Sequence, residues 1–486
     1  MKLQELLYKV DILKIVGFPD IEICDVQFDS SKPNPKGIFV AIKGIVSDGH
    51  QYIESSIENG AIAIVVEELP KTLDNQITYI QVAKSSHALA IISANFYHNP
   101  SEKIKLIGVT GTNGKTTIVS LLHQLFLLLN KKSAMLSTIE NKIIDQIIPS
   151  THTTPDCLQI NYLLDKMIQK GCHYCFMEVS SHAIKQGRIH GLKFSGAVFT
   201  NITHDHLDYH KTFSEYRDVK KSFFDHLDKE SFALANKDDK NGSKMLEGSQ
   251  SKKLFYSLKS FANYKCKVLE NQFDGMLLKI NKIDVWVKII GGFNAYNLLA
   301  VYAVAKQFGF ADYDVLPALS MLENVEGRFQ FIRSELNITG IVDYAHTDDA
   351  LKNVLTTINN IRSNTESLIT ILGCGGDRDI SKRPLMAQVA CNLSTQVIIT
   401  SDNPRSEDPE KIIKDMLAGL DPVQHKKVLT ITDRRQAIMI SGKLAKENDI
   451  ILIAGKGHEK YQEIKGNKLP FDDMEELKKS LNIILT

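Results

Sequence analysis

A glycine-rich loop between an apolar strand and an apolar helix constrains the fold of this chain more than any other feature. Residues Ile104–Val109 have the character of a buried strand, and Ile118–Leu129 form an apolar helical run. Between them lies Thr110–Thr117, which reads TGTNGKTT. In such a loop the backbone N–H groups converge on phosphate, and the helix N-terminus adds a favourable dipole. The segment therefore predicts a strand-loop-helix unit that binds a nucleotide.

Two side chains of this loop have the chemistry that a nucleoside triphosphate requires. Lys115 can reach the β- and γ-phosphates, and the hydroxyl of Thr116 suits Mg²⁺. The loop departs from the general phosphate-loop pattern at Val109, where the first glycine would fall. A chance glycine-rich turn is the alternative, but the flanking strand and helix and the Lys-Thr pair favour a nucleotide site. Kinases, GTPases and ligases all use such a site, so the loop alone does not specify the reaction.

The length, charge and hydrophobic pattern of the chain lead us to expect a multidomain cytoplasmic protein. A chain of 486 residues exceeds the usual size of one hydrophobic core, so we expect about three domains. The 58 Lys and Arg residues nearly balance the 57 Asp and Glu residues, which gives no support for nucleic acid or an anionic membrane as a partner. No segment approaches the ~18 apolar residues of a membrane span. The start of the chain, Met1–Phe18, has the spacing of an amphipathic helix and lacks the apolar stretch of a signal peptide.

Strands and helices alternate along three units, which predicts mostly parallel sheets covered by helices. The first unit ends near the turn Tyr97–Pro100, and the second closes near Arg328, after the helical stretch Ala295–Phe308. The predicted strands of the first and third units are Ile38–Ile42, Ala61–Val66, Ile77–Val82, Ile338–Val342, Leu368–Leu372, Gln396–Thr400 and Ile450–Ala454. We therefore expect an α/β protein with domains at 1–99, 100–331 and 332–486.

Two polar segments that follow apolar runs predict a catalytic centre, because ligands in such sheets bind beyond the carboxyl ends of strands. Glu178 ends one strand-like run and could hold the Mg²⁺ that Thr116 also contacts. Residues 200–210 follow the run Gly196–Phe199 and contain His204, Asp205, His206, Asp208 and His210. A single histidine is usually structural, but a cluster of this density favours a metal or catalytic role. Lys220, further along, reads locally as a solvated residue of a helix.

The seven cysteines are scattered and odd in number, which argues against a disulfide framework. Cys172 and Cys175 have the C-x-x-C spacing of a zinc or redox pair, but no second pair accompanies them. We interpret them as buried thiols.

Taken together, these motifs resemble the Mur ligase family over essentially the whole chain. The central unit carries TGTNGKTT at 110–117, HTTP at 152–155, EVSSH at 178–182, TNITHDHLDYH at 200–210, GGFNAYN at 291–297 and GR at 327–328. The third unit carries DYAH at 343–346, GCGGDRD at 373–379, DNPR at 402–405 and GKGHE at 455–459. The match is specific to the tripeptide-forming members of the family.

The resemblance implies a fold and a reaction. A smaller N-terminal α/β domain would bind the UDP-sugar, a central domain with a P-loop ATPase-like parallel sheet would bind ATP, and a C-terminal Rossmann-like domain would bind the incoming amino acid. The γ-carboxylate of D-Glu in UDP-N-acetylmuramoyl-L-alanyl-D-glutamate would take the γ-phosphoryl group of ATP. The amine of the third substrate would then attack the acyl phosphate. All substrates are small molecules, and a cytoplasmic monomer that does not insert into membranes is expected.

The resemblance also implies roles for individual residues. ATP contacts are implied for Gly111, Thr112, Asn113, Gly114, Lys115, Thr116, Thr117, Asn297, Arg328, Asp343 and His346. Contacts to the UDP-muramoyl-dipeptide are implied for Ser30, Thr153, Thr154, Ser180, Gln186 and Arg188. Thr116 and Glu178 would serve one Mg²⁺, and His206 and a carbamate of Lys220, formed with CO₂, would serve a second. Lys115, Lys220 and His206 are the implied catalytic residues.

The first domain departs from the family pattern at two places. Asp29-Ser30-Ser31 stands where the family usually reads D-S-R, so that Ser31 replaces an arginine and one nucleotide contact is open to question. The stretch Ile45-Val46-Ser47 aligns with a uridine-contact segment, but its side chains differ from the common versions. An ordinary surface loop is the alternative at both places.

The third unit indicates meso-diaminopimelate as the amino acid. The implied contacts are Arg378, Asp402, Asn403, Pro404, Arg405, Gly455 and Glu459. An arginine binds the distal carboxylate of diaminopimelate through two parallel hydrogen bonds, and Glu459 can pair with the distal ammonium. Pro404 fixes its own φ and should help to present Arg405. The alternatives are a lysine-adding relative, a folylpolyglutamate synthetase, a structural salt bridge for Arg405, and a non-catalytic nucleotide-binding switch.

Overall fold

The computed structural model describes residues 1–44, 47–203, 205, 207–363 and 365–483, and for Leu207 and Asp208 it describes the backbone alone. The strands of these residues form three large sheets, which follow one another along the chain, and one separate hairpin. Helices flank each large sheet, so the α/β class predicted from the sequence is confirmed. None of the helices in the described segments is both long and apolar enough to cross a bilayer.

The first sheet, with five strands, is the smallest of the three. Its strands are β1 (Ile12–Val16), β2 (Val26–Gln27), β3 (Gly37–Val40), β4 (Ala61–Val66) and β5 (Thr78–Val82). Their spatial order is β1-β5-β4-β3-β2, in which β1 is antiparallel to β5 and the other pairs are parallel. The helices of this region are α1 (Leu3–Leu6), α2 (Ile53–Glu58) and α3 (Ser85–Phe96).

The prediction of an amphipathic helix over Met1–Phe18 is wrong beyond its first turn. Helix α1 ends before Lys9, whose φ of 63° lies in the left-handed region. The chain then extends as the edge strand β1, in which Ile12 lies opposite Val82. An edge strand keeps many side chains in water, and Leu13 is 61% exposed. The mixture of polar and apolar residues in this segment therefore reflects a half-covered strand, not the two faces of a helix.

The central sheet carries eleven described strands. They are β6 (Lys105–Thr110), β7 (Ser133–Leu136), β8 (Glu140–Ile143), β9 (Gln146–Pro149), β10 (Tyr174–Glu178), β11 (Gly196–Phe199), β12 (Phe232–Asn236), β13 (Lys252–Ser257), β14 (Tyr264–Gln272), β15 (Gly275–Ile280) and β16 (Ile283–Val287). The order is β16-β15-β14-β13-β12-β11-β6-β10-β7-β8-β9, with parallel pairing from β14 to β7 and antiparallel hairpins at both ends. Its helices are α4 (Lys115–Leu128), α5 (Cys157–Gln169), α6 (Ser181–Lys185), α7 (Leu207–His210), α8 (Phe213–Asp225), α9 (Gly242–Met245), α10 (Gly292–Gln307) and α11 (Asp312–Ser320).

The strands of the third sheet are β17 (Gln330–Arg333), β18 (Thr339–Asp343), β19 (Leu368–Leu372), β20 (Gln396–Ile399), β21 (Val428–Thr430) and β22 (Ile450–Ala454), and the separate hairpin β23 (Tyr461–Ile464) and β24 (Asn467–Pro470) follows them in the chain. The spatial order of the sheet is β17-β18-β22-β19-β20-β21. Among the six described strands of this sheet, β17 alone is antiparallel to its neighbour. The helices are α12 (Asp348–Ile361), α13 (Lys382–Leu393), α14 (Pro409–Leu417), α15 (Pro422–His425), α16 (Arg434–Leu444) and α17 (Asp473–Ser480). Strand β17 starts just before the expected boundary at 331/332, and the domain limits remain a prediction.

The central parallel strands are apolar along their length because helices cover both faces. In β6, Ile107 and Val109 pack into a core with residues of α4 and α10, whereas Leu106 packs into a second core with residues of α5 and α8. At the carboxyl ends of β6, β10 and β11 the chain becomes polar, and that edge of the sheet carries the candidate site.

Candidate active site

The carboxyl ends of three neighbouring parallel strands meet at one edge of the central sheet. Strands β10 and β11 flank β6, with Glu178 opposite Val109 and Phe199 opposite Thr110. The segments that follow these strands therefore lie side by side. Together with residues of the third sheet they line a cleft of about 740 Å³.

The loop after β6 has a backbone conformation that requires its glycines. Gly111 has a φ of 151° and Gly114 has a φ of 88°, and residues with a Cβ rarely adopt such values. A Cβ on Gly111 would lie 1.9 Å from Thr200 Oγ1, and a Cβ on Gly114 would lie 2.7 Å from Asn297 Oδ1. The close approach of these neighbours shows that the loop is packed tightly against the segment after β11 and against α10.

Asn201, which the sequence did not single out, ties this loop to the segment after β11. Its main-chain oxygen accepts a hydrogen bond from Thr112 N (2.8 Å), and its side chain accepts from Asn113 N (2.9 Å) and donates to Asn113 O (3.3 Å). Thr200 Oγ1 donates to the same carbonyl oxygen (2.6 Å). The Thr-Asn pair that starts the histidine-rich motif was the available signal, but no local pattern distinguishes it from an ordinary turn.

Two lysines from different helices converge on the loop. Lys115, at the start of α4, donates from Nζ to the carbonyl oxygens of Gly111 (3.0 Å) and Thr112 (2.8 Å). Lys220, in α8, donates to the same Gly111 oxygen (3.1 Å) and is 1% exposed. Its local interpretation as a solvated residue is therefore wrong, because α8 turns this position toward the sheet edge.

The protonation of both lysines is shifted by their surroundings. Burial lowers the pKa of Lys115, and the carboxylates of Glu178 and Asp205 oppose this shift. Burial, with the charge of Lys115 as a second cause, holds the pKa of Lys220 well below its usual value, while Asp205 opposes. Each amine therefore loses its proton more readily than a lysine in water.

Glu178 brings a buried carboxylate to the same place. Its Oε1 accepts a hydrogen bond from Thr138 N (2.8 Å). Its Oε2 is buried and has no hydrogen-bond partner among the described residues. A buried carboxylate oxygen without a donor is unfavourable, so this atom marks a position where a cation would be stabilised.

The expected metal ligands are only partly described. Thr116, Glu178 and Lys220 line the cleft, whereas His204 and His206 lie outside the described residues. Within those residues no three His, Cys, Asp or Glu side chains form a group that could hold a metal. Cys172 and Cys175 are both buried, and burial raises their pKa, as expected of inert thiols.

Arg328 and Tyr344, which lie next to strands of the third sheet, line the cleft. Arg328 donates from Nη2 to Thr116 Oγ1 (3.1 Å), and its guanidinium carbon lies 4.3 Å from the centroid of the Tyr344 ring. Asn113 Nδ2 also donates across the cleft to Asp349 Oδ2 (3.3 Å). These contacts join the phosphate loop to the start of the third sheet.

Asp343 and His346 lie at the end of β18, in the same wall of the cleft. Asp343 accepts hydrogen bonds from the backbone N of Phe329 (2.7 Å) and of Ala345 (2.8 Å). Burial raises the pKa of Asp343, and Arg328 opposes this. Burial also lowers the pKa of His346 to about 4, so its imidazole is neutral at pH 7.

Five of the six residues expected to contact the UDP-muramoyl-dipeptide form one hydrogen-bonded group beside Glu178. Thr154 Oγ1 donates to Glu178 O (2.7 Å) and accepts from Ser180 N (3.0 Å). Arg188 donates to Thr154 O (2.8 Å) and to Gln186 Oε1 (2.9 Å). The fifth residue joins through Thr138, whose Oγ1 donates to Thr153 Oγ1 (3.0 Å).

The sixth residue of that set, Ser30, lies in the first sheet's region and does not line the cleft. Asn59 Nδ2 donates to its carbonyl oxygen (2.7 Å). The neighbouring Ser31 donates from Oγ to Asp29 Oδ1 (2.7 Å), so this serine closes a local turn where an arginine was expected. Of the aligned uridine-contact segment, Ile45 and Val46 lie outside the described residues.

The residues expected to bind the amino acid follow β19, β20 and β22, and β19 lies between the other two strands in the sheet. Asn403 Nδ2 donates to Glu459 Oε2 (2.7 Å). Gly455 has a φ of 114°, and a Cβ there would lie 2.6 Å from Asp402 Oδ2. These loops therefore form one compact polar group at the edge of the third sheet.

Arg405 is held by its backbone and by its guanidinium. Its φ of 49° lies in the left-handed region. The backbone N of Arg405, which follows Pro404, donates to Glu463 O (3.1 Å) and so joins this segment to β23. Its Nη1 donates to Gly376 O (2.7 Å), and its Nε lies 3.5 Å from Glu463 Oε2. Arg405 therefore forms a salt bridge with Glu463, which was the structural alternative to a role in substrate binding.

Arg378 connects this group with the main cleft, which it lines. A Cβ on Gly375 would lie 2.9 Å from Arg405 Nη1 and 3.8 Å from Arg378 Cγ. Two arginines therefore flank Gly375. The other residues expected to bind the amino acid do not line the 740 Å³ cleft itself.

Comparison with known proteins identifies relatives over the whole chain. Three family profiles match, namely "Mur ligase family, catalytic domain" at residues 22–97, "Mur ligase middle domain" at 109–305, and "Mur ligase, glutamate ligase domain" at 327–457. The chain is 50% identical over 485 residues to the UDP-N-acetylmuramoyl-L-alanyl-D-glutamate--2,6-diaminopimelate ligase of Cytophaga hutchinsonii, with 100% of both chains covered. It is 52% identical over 483 residues to the protein of the same name from Bacteroides fragilis, with 99% of this chain and 100% of that one covered. A solved structure of a ligase with this name has a TM-score of 0.71 at 33% identity and covers 99% of both chains.

Proposed function

Because the chain belongs to the Mur ligase family, we propose that it is the ATP-dependent ligase that joins meso-2,6-diaminopimelate to the D-Glu of UDP-N-acetylmuramoyl-L-alanyl-D-glutamate. The product would be a tripeptide precursor of peptidoglycan. Two relatives that bear the name of this activity share 50% and 52% of its residues over essentially the full length. The observation that carries the proposal is a single cleft lined by a phosphate loop, a buried carboxylate, two lysines and Arg378.

The chemistry explains why ATP is required. A carboxylate is a poor electrophile, so the γ-carboxylate oxygen of D-Glu first attacks the γ-phosphorus of ATP, and ADP leaves. The amine of diaminopimelate then attacks the carbonyl carbon of the acyl phosphate. The tetrahedral intermediate loses a proton from nitrogen and expels phosphate, which leaves the amide. Both steps gather negative charge on oxygen, which preorganised cationic groups stabilise.

Lys115 is the residue of the loop that we assign to this charge. Its Nζ lies against two carbonyl oxygens of its own loop, within reach of a triphosphate bound to the backbone N–H groups. Phosphate oxygens would raise the pKa that burial lowers, so the lysine would bind the nucleotide as an ammonium. We assign the other ATP contacts to Gly111, Thr112, Asn113, Gly114, Thr116, Thr117, Asn297, Arg328, Asp343 and His346.

The residues at the loop fit Mg²⁺. The buried, unpaired Oε2 of Glu178 is an anionic oxygen of the kind that hard cations prefer, and Thr116 supplies a hydroxyl in the same cleft. Bound there, Mg²⁺ would neutralise charge on the phosphates. Glu178 and Thr116 would hold one ion, and His206 and Lys220 a second.

The burial of Lys220 supports its modification by CO₂. Only a neutral amine attacks CO₂, and the pKa of Lys220 lies well below its usual value because of burial and of Lys115. The reaction forms an N–C bond and releases one proton, which turns the amine into an anionic oxygen ligand. An ordinary exposed lysine would remain protonated and unreactive at neutral pH.

We assign the recognition of the two other substrates to the two groups of polar residues described above. We assign the UDP-muramoyl-dipeptide to the connected set Thr153, Thr154, Ser180, Gln186 and Arg188, and to Ser30, which lies apart from them in the region of the first sheet. We assign the distal end of diaminopimelate to Arg378, Asp402, Asn403, Pro404, Arg405, Gly455 and Glu459. Lysine lacks the distal carboxylate, so with lysine as the third substrate Arg378 and Arg405 would have no substrate carboxylate to bind. We further propose that the enzyme is a cytoplasmic monomer with domains at 1–99, 100–331 and 332–486.

An amino-acid panel tests this function. Phosphate release by the purified protein should need ATP, Mg²⁺, the UDP-dipeptide and meso-diaminopimelate together, and a mass spectrum should show the UDP-tripeptide. Lysine at equal concentration should give little product, and glutamate with a folate acceptor none. Equal turnover with lysine would overturn the substrate assignment, and ATP hydrolysis independent of the UDP-dipeptide would overturn the ligase function.

A further inference from the structure

Lys456 is a fully buried lysine to which none of the roles above has been assigned. It lies in the loop after β22, between Gly455 and Glu459, and is 0% exposed. Its Nζ donates to Asn403 Oδ1 (2.9 Å) and to Glu459 Oε2 (3.3 Å). Lysine is among the residues least often buried, because removing an ammonium from water is costly unless it is paired. Both of its partners are residues assigned to the distal end of the amino acid.

Lys456 helps to determine how the amide of Asn403 is oriented. Oδ1 of Asn403 accepts from Lys456 Nζ and from Glu463 N (2.9 Å), so that both groups facing this atom are donors. The opposite orientation would place the amide NH₂ against an ammonium and an N–H group. The amide nitrogen therefore faces Glu459 and donates to its Oε2 (2.7 Å).

Glu459 is consequently held through one of its two oxygens. Oε2 receives hydrogen bonds from Asn403 and Lys456, while Oε1 has no hydrogen bond from the described residues. Asp402 and Glu459 place two carboxylates beside the ammonium of Lys456. Arg434 interacts with both carboxylates but is paired with Asp473 (2.7 Å), so these five groups leave a net charge of one negative unit. One substrate ammonium would balance that charge.

The charge state of Glu459 depends on the same contacts. Burial raises its pKa, and the neighbouring Asp402 raises it further, whereas Lys456 and Asn403 oppose the shift. Removal of Lys456 would therefore favour the protonated acid, which cannot pair with an ammonium. The other charged or titratable groups that interact with Glu459 are Arg434, Tyr344 and Tyr461.

We propose that Lys456 is a positioning residue that sets amino-acid specificity: without contacting the substrate, it orients Asn403 and Glu459 so that Oε1 of Glu459 receives the distal ammonium. The inference rests on the proposed function and deepens it. Lys456 thus acts on the recognition of the third substrate and has no part in nucleotide binding.

The test compares Lys456→Met and Lys456→Gln with the wild-type full-length enzyme. Lys456→Met should raise the KM for diaminopimelate about tenfold or more, because a buried hydrogen bond to a charged group is lost. The KM for ATP should stay within about twofold. Lys456→Gln keeps a donor near Asn403 Oδ1 but removes the charge, so its effect should be smaller. The matched control is Lys427→Met, which removes a lysine bonded to Cys391 O (3.1 Å) in the same domain. It should leave both KM values unchanged.

A pH series adds a measurement that a purely structural role would not change. In Lys456→Met, the excess KM for diaminopimelate should be greatest at acidic pH and shrink as pH rises, because the raised pKa of Glu459 keeps more of it protonated at low pH and the carboxylate regains its charge as pH increases. An unchanged KM for diaminopimelate, parallel rises of both KM values, or an equal effect of Lys427→Met would overturn the proposal. If Lys456→Met fails to fold, as judged by thermal unfolding, Lys456→Gln decides by the same criteria. Failure of the wild type to use diaminopimelate would instead refute the proposed function.

Discussion

Replacing Gly111 by alanine should disable nucleotide binding while the rest of the fold persists. The φ of 151° at this position is rarely open to a residue with a Cβ, and forcing it costs about 1–3 kcal/mol. The new Cβ would also lie 1.9 Å from Thr200 Oγ1, so Thr200 must move and give up its hydrogen bond to Asn113 O. That bond contributes about 1 kcal/mol. Together these effects destabilise the phosphate-binding conformation of the loop by roughly 2–4 kcal/mol. Nucleotide binding should therefore weaken by about 30-fold or more.

Gly309 provides the matched control for this substitution. Its φ of 83° is also positive, but a Cβ there would meet no atom within 4 Å. Gly309→Ala should therefore lower stability by roughly 1–2 kcal/mol through backbone strain alone and leave nucleotide affinity unchanged. The assay is a calorimetric titration of both variants with ATP and Mg²⁺, accompanied by thermal unfolding. ATP affinity within twofold of the wild type in Gly111→Ala would refute the reasoning, as would an equal loss in Gly309→Ala.

Two further substitutions test the proposed roles of a lysine and an arginine. Lys220→Ala should nearly abolish turnover, and a short carboxylate such as acetate should restore part of it by supplying the missing anionic oxygen. The control Lys221→Ala, which breaks the surface ion pair with Asp225 (2.6 Å), should remain active. Full activity of Lys220→Ala without added carboxylate would exclude the carbamate. Arg405→Lys should raise the KM for diaminopimelate well above any change in the KM for ATP, because lysine cannot form the two parallel hydrogen bonds of a guanidinium; an unchanged KM would assign Arg405 to its salt bridge with Glu463 alone.

The fold could be predicted well where local sequence and tertiary environment agree. Ala61–Val66, Leu368–Leu372 and Ile450–Ala454 are strands with the predicted bounds, because buried parallel strands need continuous apolar runs. The prediction failed at the N-terminus, where an edge strand has one covered and one solvated side and its composition resembles that of an amphipathic helix. Which of the two forms depends on Val82 and its neighbours in β5, which lie about seventy residues further along the chain.

The residues of the candidate site also differ in how far local sequence could predict them. Loop residues such as Gly111 and Lys115 were predictable because the chemistry of a phosphate loop is contained in eight consecutive residues. Lys220 and Asn201 were not, because their importance comes from contacts with that loop across 109 and 88 positions of the chain. The family resemblance identified Lys220, but the physical basis for the role that we propose for it, burial beside Lys115, appears only in the folded chain.

Lys115, Lys220 and Lys456 show that the partners of a buried lysine, more than its burial, determine its chemistry. Lys115 and Lys220 bond to carbonyl oxygens of the phosphate loop, which are neutral acceptors and do not balance an ammonium. Their amines can therefore lose a proton or acquire a substrate's negative charge as partner. Lys456 bonds to a carboxylate as well as to an amide oxygen, so a negative charge of the protein itself faces its ammonium before any substrate binds. The first two lysines are thus suited to take part in reaction chemistry, and the third is suited to hold a binding group still.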